Sequence, residues 1–156
     1  GETLGKKNLP GSLDEFQRMK YTEGERYSFF QLDYKRQKEL ALHPEKALPN
    51  AATATAADAK FTGYIFNKDN PDGWAKGVAF TSRLGYDISN WQDFRKEVLD
   101  SSKKYPSIIG KTDEYGTKCT QLVILYGKKG APMNVKIGWK TDKDKTWMTT
   151  IMPKEV

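Results

Sequence analysis

The side chains in this sequence with the widest scope for chemistry are basic and hydroxylic. Lys76 stands among Ala75, Val78, Ala79 and Phe80. A lysine in such company either lays its methylene stem along apolar surface or aims its ammonium at an anion. Thr117-Lys118 opens one predicted strand and Thr149-Thr150 lies in the last. Thr is common in strands on propensity alone. A lysine and threonine hydroxyls gathered on one sheet face can nevertheless grip a phosphodiester. Trp139 or Tyr126 beside them can stack an unpaired base, a mode suited to single-stranded RNA. The alternation of Trp139 with Val135 and Ile137 also fits a ring buried in the core.

Other chemistries find little support. The sequence has no Gly-rich phosphate loop, no dinucleotide fingerprint, no nucleophile elbow and no paired cysteine spacing for zinc. Its one cysteine, Cys119, excludes an internal disulfide framework and falls in a predicted strand, where a buried, inert thiol is expected. The one histidine, His43, precedes Pro44 and reads as a helix-terminal surface residue. Asp113-Glu114 and Asp142-Lys143-Asp144 fall in turns, where Asp is favoured by local hydrogen bonding. Without another carboxylate converging on them, neither a metal site nor a cofactor is expected.

The 156 residues (17.7 kDa) suffice for one ordinary domain with an appendage, or for two very small domains. A mean hydropathy of −0.75 is polar, but 4 Trp, 8 Tyr and 7 Phe can bury large areas, which argues against wholesale disorder. No apolar run approaches membrane-spanning length. The 26 Lys+Arg against 20 Asp+Glu give a net charge of +6, which permits a polyanionic partner. The bias is uneven: residues 1–57 hold 9 basic and 8 acidic side chains, residues 58–156 hold 17 and 12. The chain opens Gly1-Glu2-Thr3, without an initiating Met or a signal-peptide pattern, so a piece of a longer protein is expected and its compartment is unknown.

The elements that must position these residues follow from periodicity and caps. Ser12-Leu13-Asp14-Glu15 and Thr22-Glu23-Gly24-Glu25 are capping boxes, the second opening a helix to about Leu42 that His43-Pro44 ends. Residues 44–58, with the run Ala51 to Ala57, break the composition and read as a linker or a surface strap between a helical segment (1–43) and a second unit (59–156). Lys60 to Phe66 forms a compact aromatic element before the turn Asn70-Pro71-Asp72-Gly73. Trp74 to Leu84 is a predicted helix with Gly85 at its end, and Ser89 to Gln92 is a capping box for another, running to about Lys104. After Pro106 the period becomes two. Strands are predicted at 107–111, 117–127, 133–140 and 147–152. The fold class is therefore α+β: N-terminal helices, then helices packed on one face of a three- to four-stranded antiparallel sheet. Lys136, Gly138 and Lys140 mark the other face of that sheet as basic.

Several pieces of the second unit form a recurring pattern. They are Lys60-x-x-x-Tyr64-x-x-Asn67, Gly73-x-x-Lys76-x-x-x-Phe80, Leu84-Gly85-Tyr86, Trp91, Gly116-Thr117-Lys118, Trp139 and Thr150-x-x-Pro153. On these, residues 60–153 resemble an uncharacterised bacterial domain family that forms the C-terminal tips of polymorphic and phage-borne toxins. Gly77 stands where that family usually has Ala. The stretch from Leu9-Pro10 through Phe16-Gln17 to Tyr21, with Tyr27 and Tyr34-Lys35, is similar to the segment trailing phage head-morphogenesis (minor head) proteins.

The resemblance implies a small effector similar to the barnase/EndoU/colicin/RelE group of ribonucleases, which would cut RNA without metal by attack of the 2′-hydroxyl on the adjacent phosphate. Lys76 would stabilise the added charge, Thr117 and Thr150 would hydrogen-bond phosphate oxygens, and Lys118, Lys60 and Trp139 would hold the substrate. The implied partners are RNA and an immunity protein, and the implied target is in the bacterial cytoplasm. No histidine is available within the domain for proton transfer. The alternative is a non-catalytic interaction module of a phage protein with a basic face. An enzyme requires Lys76, Thr117 and Thr150 in one concave site; a module leaves them dispersed.

Overall fold

The computed structural model describes residues 23–156, so the Ser12 capping box and the Leu9–Tyr21 likeness lie outside the described residues. Four α-helical elements, a π-helical turn and two short 3-10 turns (Pro44–Lys46 and Ala51–Thr53) precede a sheet. Helix α1 spans Glu23–Leu42, and α2 is a single turn, Asp58–Lys60, that runs directly into a π-helical turn, Phe61–Ile65. Helices α3 (Pro71–Leu84) and α4 (Trp91–Ser101) follow. Strands β1 (Ser107–Asp113), β2 (Gly116–Leu125), β3 (Met133–Asp142) and β4 (Lys145–Pro153) form an antiparallel meander in the order β1-β2-β3-β4. The α+β class is as the period change predicts.

Two helix boundaries differ from expectation. Helix α3 starts at Pro71 rather than Trp74, because a proline at the first helical position sacrifices no intrahelical bond. Asn70 is its N-cap, accepting from the Gly73 amide, and Gly85 closes it in the left-handed region (φ 82°). Helix α4 ends at Ser101, not Lys104, and its N-cap is Asn90, whose side chain bonds the Asp87 amide and the Gly85 carbonyl instead of the helix.

Residues 44–58 are not a free linker. Thr55 pairs with β4 through Thr55 N to Thr146 O (3.0 Å) and Met148 N to Thr55 O (2.9 Å), extending the sheet edge by one bridge. Thr146 Oγ1 donates to the Pro49 carbonyl at 2.6 Å, and Leu48 and Ala56 are buried. The segment is a strap, and its backbone hydrogen bonds go to β4 and to its own short turns. Helix α1 is docked as well. The hydroxyls of Tyr105 (2.7 Å) and Tyr126 both donate to the Asp33 carboxylate, and Arg36 Nη1 donates to Asn134 Oδ1 at 2.7 Å. The expected boundary between 1–43 and 59–156 is thus crossed by side-chain bonds from both sides.

Alternation assigns the two sheet faces. Cys119, Gln121 and Val123 on β2, Val135, Ile137 and Trp139 on β3, and Met148 and Ile151 on β4 are all buried on the face covered by α2–α4. The core on that face is aromatic. Phe94 meets Phe80 and Tyr86 at centroid distances of 4.9 Å each and Phe61 edge-on at 5.9 Å.

Candidate functional site

Lys60, Tyr64, Lys76 and Thr150 reach one place through three local devices. The first is the π turn. Phe66 N bonds Phe61 O at 2.9 Å, and Lys60, just before this wider turn, and Tyr64, within it, face the same cavity. The second is the close approach of α3. A Cβ on Gly73 would lie 2.2 Å from the Tyr64 carbonyl oxygen, and one on Gly77 would lie 1.7 Å from that of Ile65. Only glycines allow the helix to rest backbone-on-backbone against the π turn, and this contact brings Lys76 beside Tyr64. Gly77 is therefore a packing requirement here.

The third device is a β-bulge. Gly138 pairs with Thr150 and Trp139 with Met148, so Thr149 is an extra residue on β4. A Cβ on Gly138 would meet Thr150 Oγ1 at 2.5 Å and Thr149 Oγ1 at 3.2 Å. Both hydroxyls thus stand over the bare Gly138 backbone, at the sheet edge.

These residues line a cavity of about 360 Å³ together with Ala59, Met148 and Ile151. No carboxylate lines it, while two ammonium groups do. Lys76 Nζ donates to Tyr64 Oη at 2.9 Å and lies 4.9 Å from the ring centroid. An ammonium has no lone pair, so the phenol oxygen is the acceptor in that bond, and the phenol's own proton is left for a third group. A shallower concavity shares Tyr64 and Lys76 and continues to Asp72, Met152 and Pro153. Such a set of two cations, one phenol and two alcohols suits a tetrahedral oxyanion, with Tyr64 able to give up a proton. Among the described residues no cluster of His, Cys, Asp or Glu could hold a metal ion.

The expected site is thus only partly assembled. Lys76, Thr150 and Lys60 converge; Thr117 does not. Its hydroxyl pairs with Thr112 Oγ1 at 2.7 Å near the β1–β2 turn. Thr117 is in register with Thr141, two strands and three residues from Thr150, which is about 14 Å at normal sheet spacings. Lys118 is exposed on the sheet face away from α2–α4 and does not line the cavity. Trp139 is not a stacking platform: it is 1% exposed and its indole Nε1 donates to Gln121 Oε1 at 3.0 Å. Gln121 in turn donates to the Ser102 and Tyr105 carbonyls, so this is a core-fastening triad.

Two site residues escape sequence reasoning. Tyr64 is signalled by the Lys60-x-x-x-Tyr64 spacing but has no assigned role until Lys76 is placed against it. Thr149 is visible in the sequence as a strand hydroxyl beside Thr150, but strict alternation puts the two on opposite faces, and the bulge that turns Thr149 toward Gly138 leaves no mark in the residue pattern. Asn67, in the same motif, is structural: it bonds the Gly63 carbonyl and the Asp69 amide.

Fold and cavity together define a small α+β domain with a cationic, hydroxyl-rich pocket at the open edge of its sheet. Residues 47–155 match the model of a domain of unknown function, DUF6883, and the chain belongs to that family. The matched span takes in most of the strap as well as the helices and sheet. No curated protein and no solved structure matches the chain.

Proposed function

We propose that this domain is a metal-independent endoribonuclease whose scissile phosphate sits between Lys60, Lys76 and Thr150. The observation that carries this reading is the Lys76–Tyr64 contact of 2.9 Å at the wall of a cavity holding a second lysine and two threonine hydroxyls, with no carboxylate to neutralise them. It supplies the proton donor that the missing histidine left open.

In this reading the substrate's 2′-oxygen forms a bond to phosphorus while the bond to the 5′-oxygen breaks. The 2′-hydroxyl proton passes through a non-bridging phosphate oxygen to solvent, and the departing 5′-oxygen takes the proton of Tyr64. The adjacent Lys76 ammonium stabilises the resulting phenolate until water reprotonates it. Lys60 and the Thr149 and Thr150 hydroxyls counter the charge that builds on the phosphate. The products are a 2′,3′-cyclic phosphate and a 5′-hydroxyl.

The test is incubation of the protein with total RNA in excess chelator, read for 5′-hydroxyl ends. Cleavage by wild type, with a loss of about 10²–10⁴-fold in Tyr64→Phe, is the expected result for a general acid. Uncut RNA, or a Tyr64→Phe variant as active as wild type, overturns the assignment. RNA bound but uncut would leave a non-catalytic module in its place.

A further inference from the structure

The sheet face away from α2–α4 carries three cross-strand rows set by the register. The first is Lys118–Lys140–Trp147, the second Ile108–Thr120–Gly138–Thr150, and the third Leu122–Lys136–Met152. From Thr150 through Gly138 to Thr120 the middle row is a trough of small or hydroxylic residues, since Gly138 has no side chain and its neighbours in the row are threonines, and the exposed Ile108 closes it on β1. One end of this trough is Thr150, which lines the cavity described above. At the other end, Ile108 and Thr120 line a second cavity of about 360 Å³, together with Arg36, Lys46, Lys136 and Lys154. Glu39 is the one carboxylate there, and it is engaged by Lys46 at 2.8 Å.

Lysines therefore flank the trough on both sides. Lys118 and Lys140 are directly opposite one another, a like-charge pairing that costs stability unless an anion is shared between them. Lys140 is balanced by Asp113 at 2.8 Å, whereas Lys118 and Lys136 make no ion pair among the described residues. At normal strand spacing the trough runs about 10 Å from β4 to β2.

We infer that this face is the track for the flanking strand of a single-stranded nucleic acid. The strand would run along the Thr150–Gly138–Thr120 trough with its phosphates between the two lysine rows. The inference rests on the phosphodiester reading of the Lys60–Tyr64–Lys76 cavity and names the substrate as an extended strand rather than a nucleotide. Charge complementarity and the continuity of trough and cavity select this occupant. A duplex is far wider than a groove one residue row across, whereas a single backbone fits it.

The test is equilibrium binding of a 2′-O-methylated oligoribonucleotide, whose blocked hydroxyl cannot attack, at several salt concentrations. Single-strand binding weakens with salt by about 0.7 log units per log unit of salt for each phosphate neutralised. Replacing Lys118, Lys136 and Lys140 together with Gln should reduce that slope by about 2. The same charge change at Lys96, Lys103 and Lys104, on and after the helix that covers the opposite face, should leave it unaltered. Equal slope changes in both variants, no slope change in the first, no measurable wild-type binding, or equally tight binding of polyglutamate would each overturn the track. If the first triple variant loses its fold by circular dichroism, the single variants Lys118→Gln and Lys136→Gln, each expected to lower the slope by about 0.7, decide in its place. Cleavage of unmodified RNA is scored separately. Cleavage with an unchanged slope defeats the track alone, and slope loss without cleavage defeats the nuclease alone.

Discussion

Replacing Gly77 with Ala tests the packing that assembles the site. In an unobstructed helix the change should stabilise by about 1 kcal/mol, since Gly is the poorer helix former. Here the new methyl would fall 1.7 Å from the Ile65 carbonyl oxygen, and it must retreat to at least 3.0 Å to reach any distance that real Cβ atoms show. The obstacle is backbone, which cannot rotate away, so α3 has to move off the π turn. Overpacking costs about 1–3 kcal/mol, and a backbone obstacle places this case at the upper end. Against the propensity gain the net is a destabilisation of about 2 kcal/mol.

Urea denaturation followed by tryptophan fluorescence should show the midpoint falling by about 1 M at a slope ordinary for this size. Gly63→Ala is the control, because its Cβ would meet nothing closer than Ala59 Cβ at 3.9 Å and its stability should be held or raised. The same retreat of α3 stretches the 2.9 Å Lys76–Tyr64 bond beyond hydrogen-bonding range, so RNA cleavage should fall in Gly77→Ala even where the protein is fully folded. A Gly77→Ala protein as stable as Gly63→Ala would refute the close-packing argument and the site geometry built on it.

Further outcomes follow from the same structure. Thr150→Ala should impair RNA cleavage, whereas Thr117→Ala, about 14 Å away, should leave both cleavage and stability within about 0.5 kcal/mol of wild type; equal effects would contradict the placement of the cavity. Gln121→Leu strands the Trp139 indole N–H and two carbonyls in the core and should cost about 3 kcal/mol in denaturant unfolding, and a neutral result would remove the triad from the core's account. Burial first, and then the Glu97 and Asp33 carboxylates, hold the phenols of Tyr86 and Tyr105 well above their ordinary value of 10.0. The unfolded chain releases these protons at lower pH than the folded one. The stabilisation is therefore complete below pH 10 and is lost above it, by up to about 1.4 kcal/mol per pH unit for each phenol. Urea midpoints unchanged between pH 9 and pH 11 would contradict this, and Tyr86→Phe should flatten the decline.

Much of the fold is legible from local pattern. Alternation places β2, β3 and β4 within about two residues, because one buried face imposes a period of two wherever it occurs; β1, exposed from Ile108 onward, carries no such pattern. The α1 terminus at Leu42 and the α3 terminus at Leu84 are set by the restriction Pro44 puts on the residue before it and by the freedom of Gly85 to take a positive φ, both of which act without help from the rest of the chain. Where reading fails, a non-local partner is responsible. The Ala-rich stretch reads as either linker or surface strap because it has little to bury by itself, and β4's edge decides for the strap. Trp139 reads as either a stacking ring or a core residue, and its bond to Gln121 decides for the core.

The candidate site divides along the same line. The sequence alone determined which groups were on offer, namely two lysines and the threonines of the last strand, and that acid–base work by histidine was closed to this domain. It also determined the two glycines four residues apart on α3 and the lone Gly138, although their purpose was not visible there. Tertiary structure decided which groups meet. Lys60, Tyr64, Lys76 and Thr150 come from four separate elements, and their convergence depends on backbone-to-backbone contact at Gly73 and Gly77 and on one extra residue in β4. Those are excluded-volume constraints between segments distant in the chain, and no pattern within a single segment encodes them.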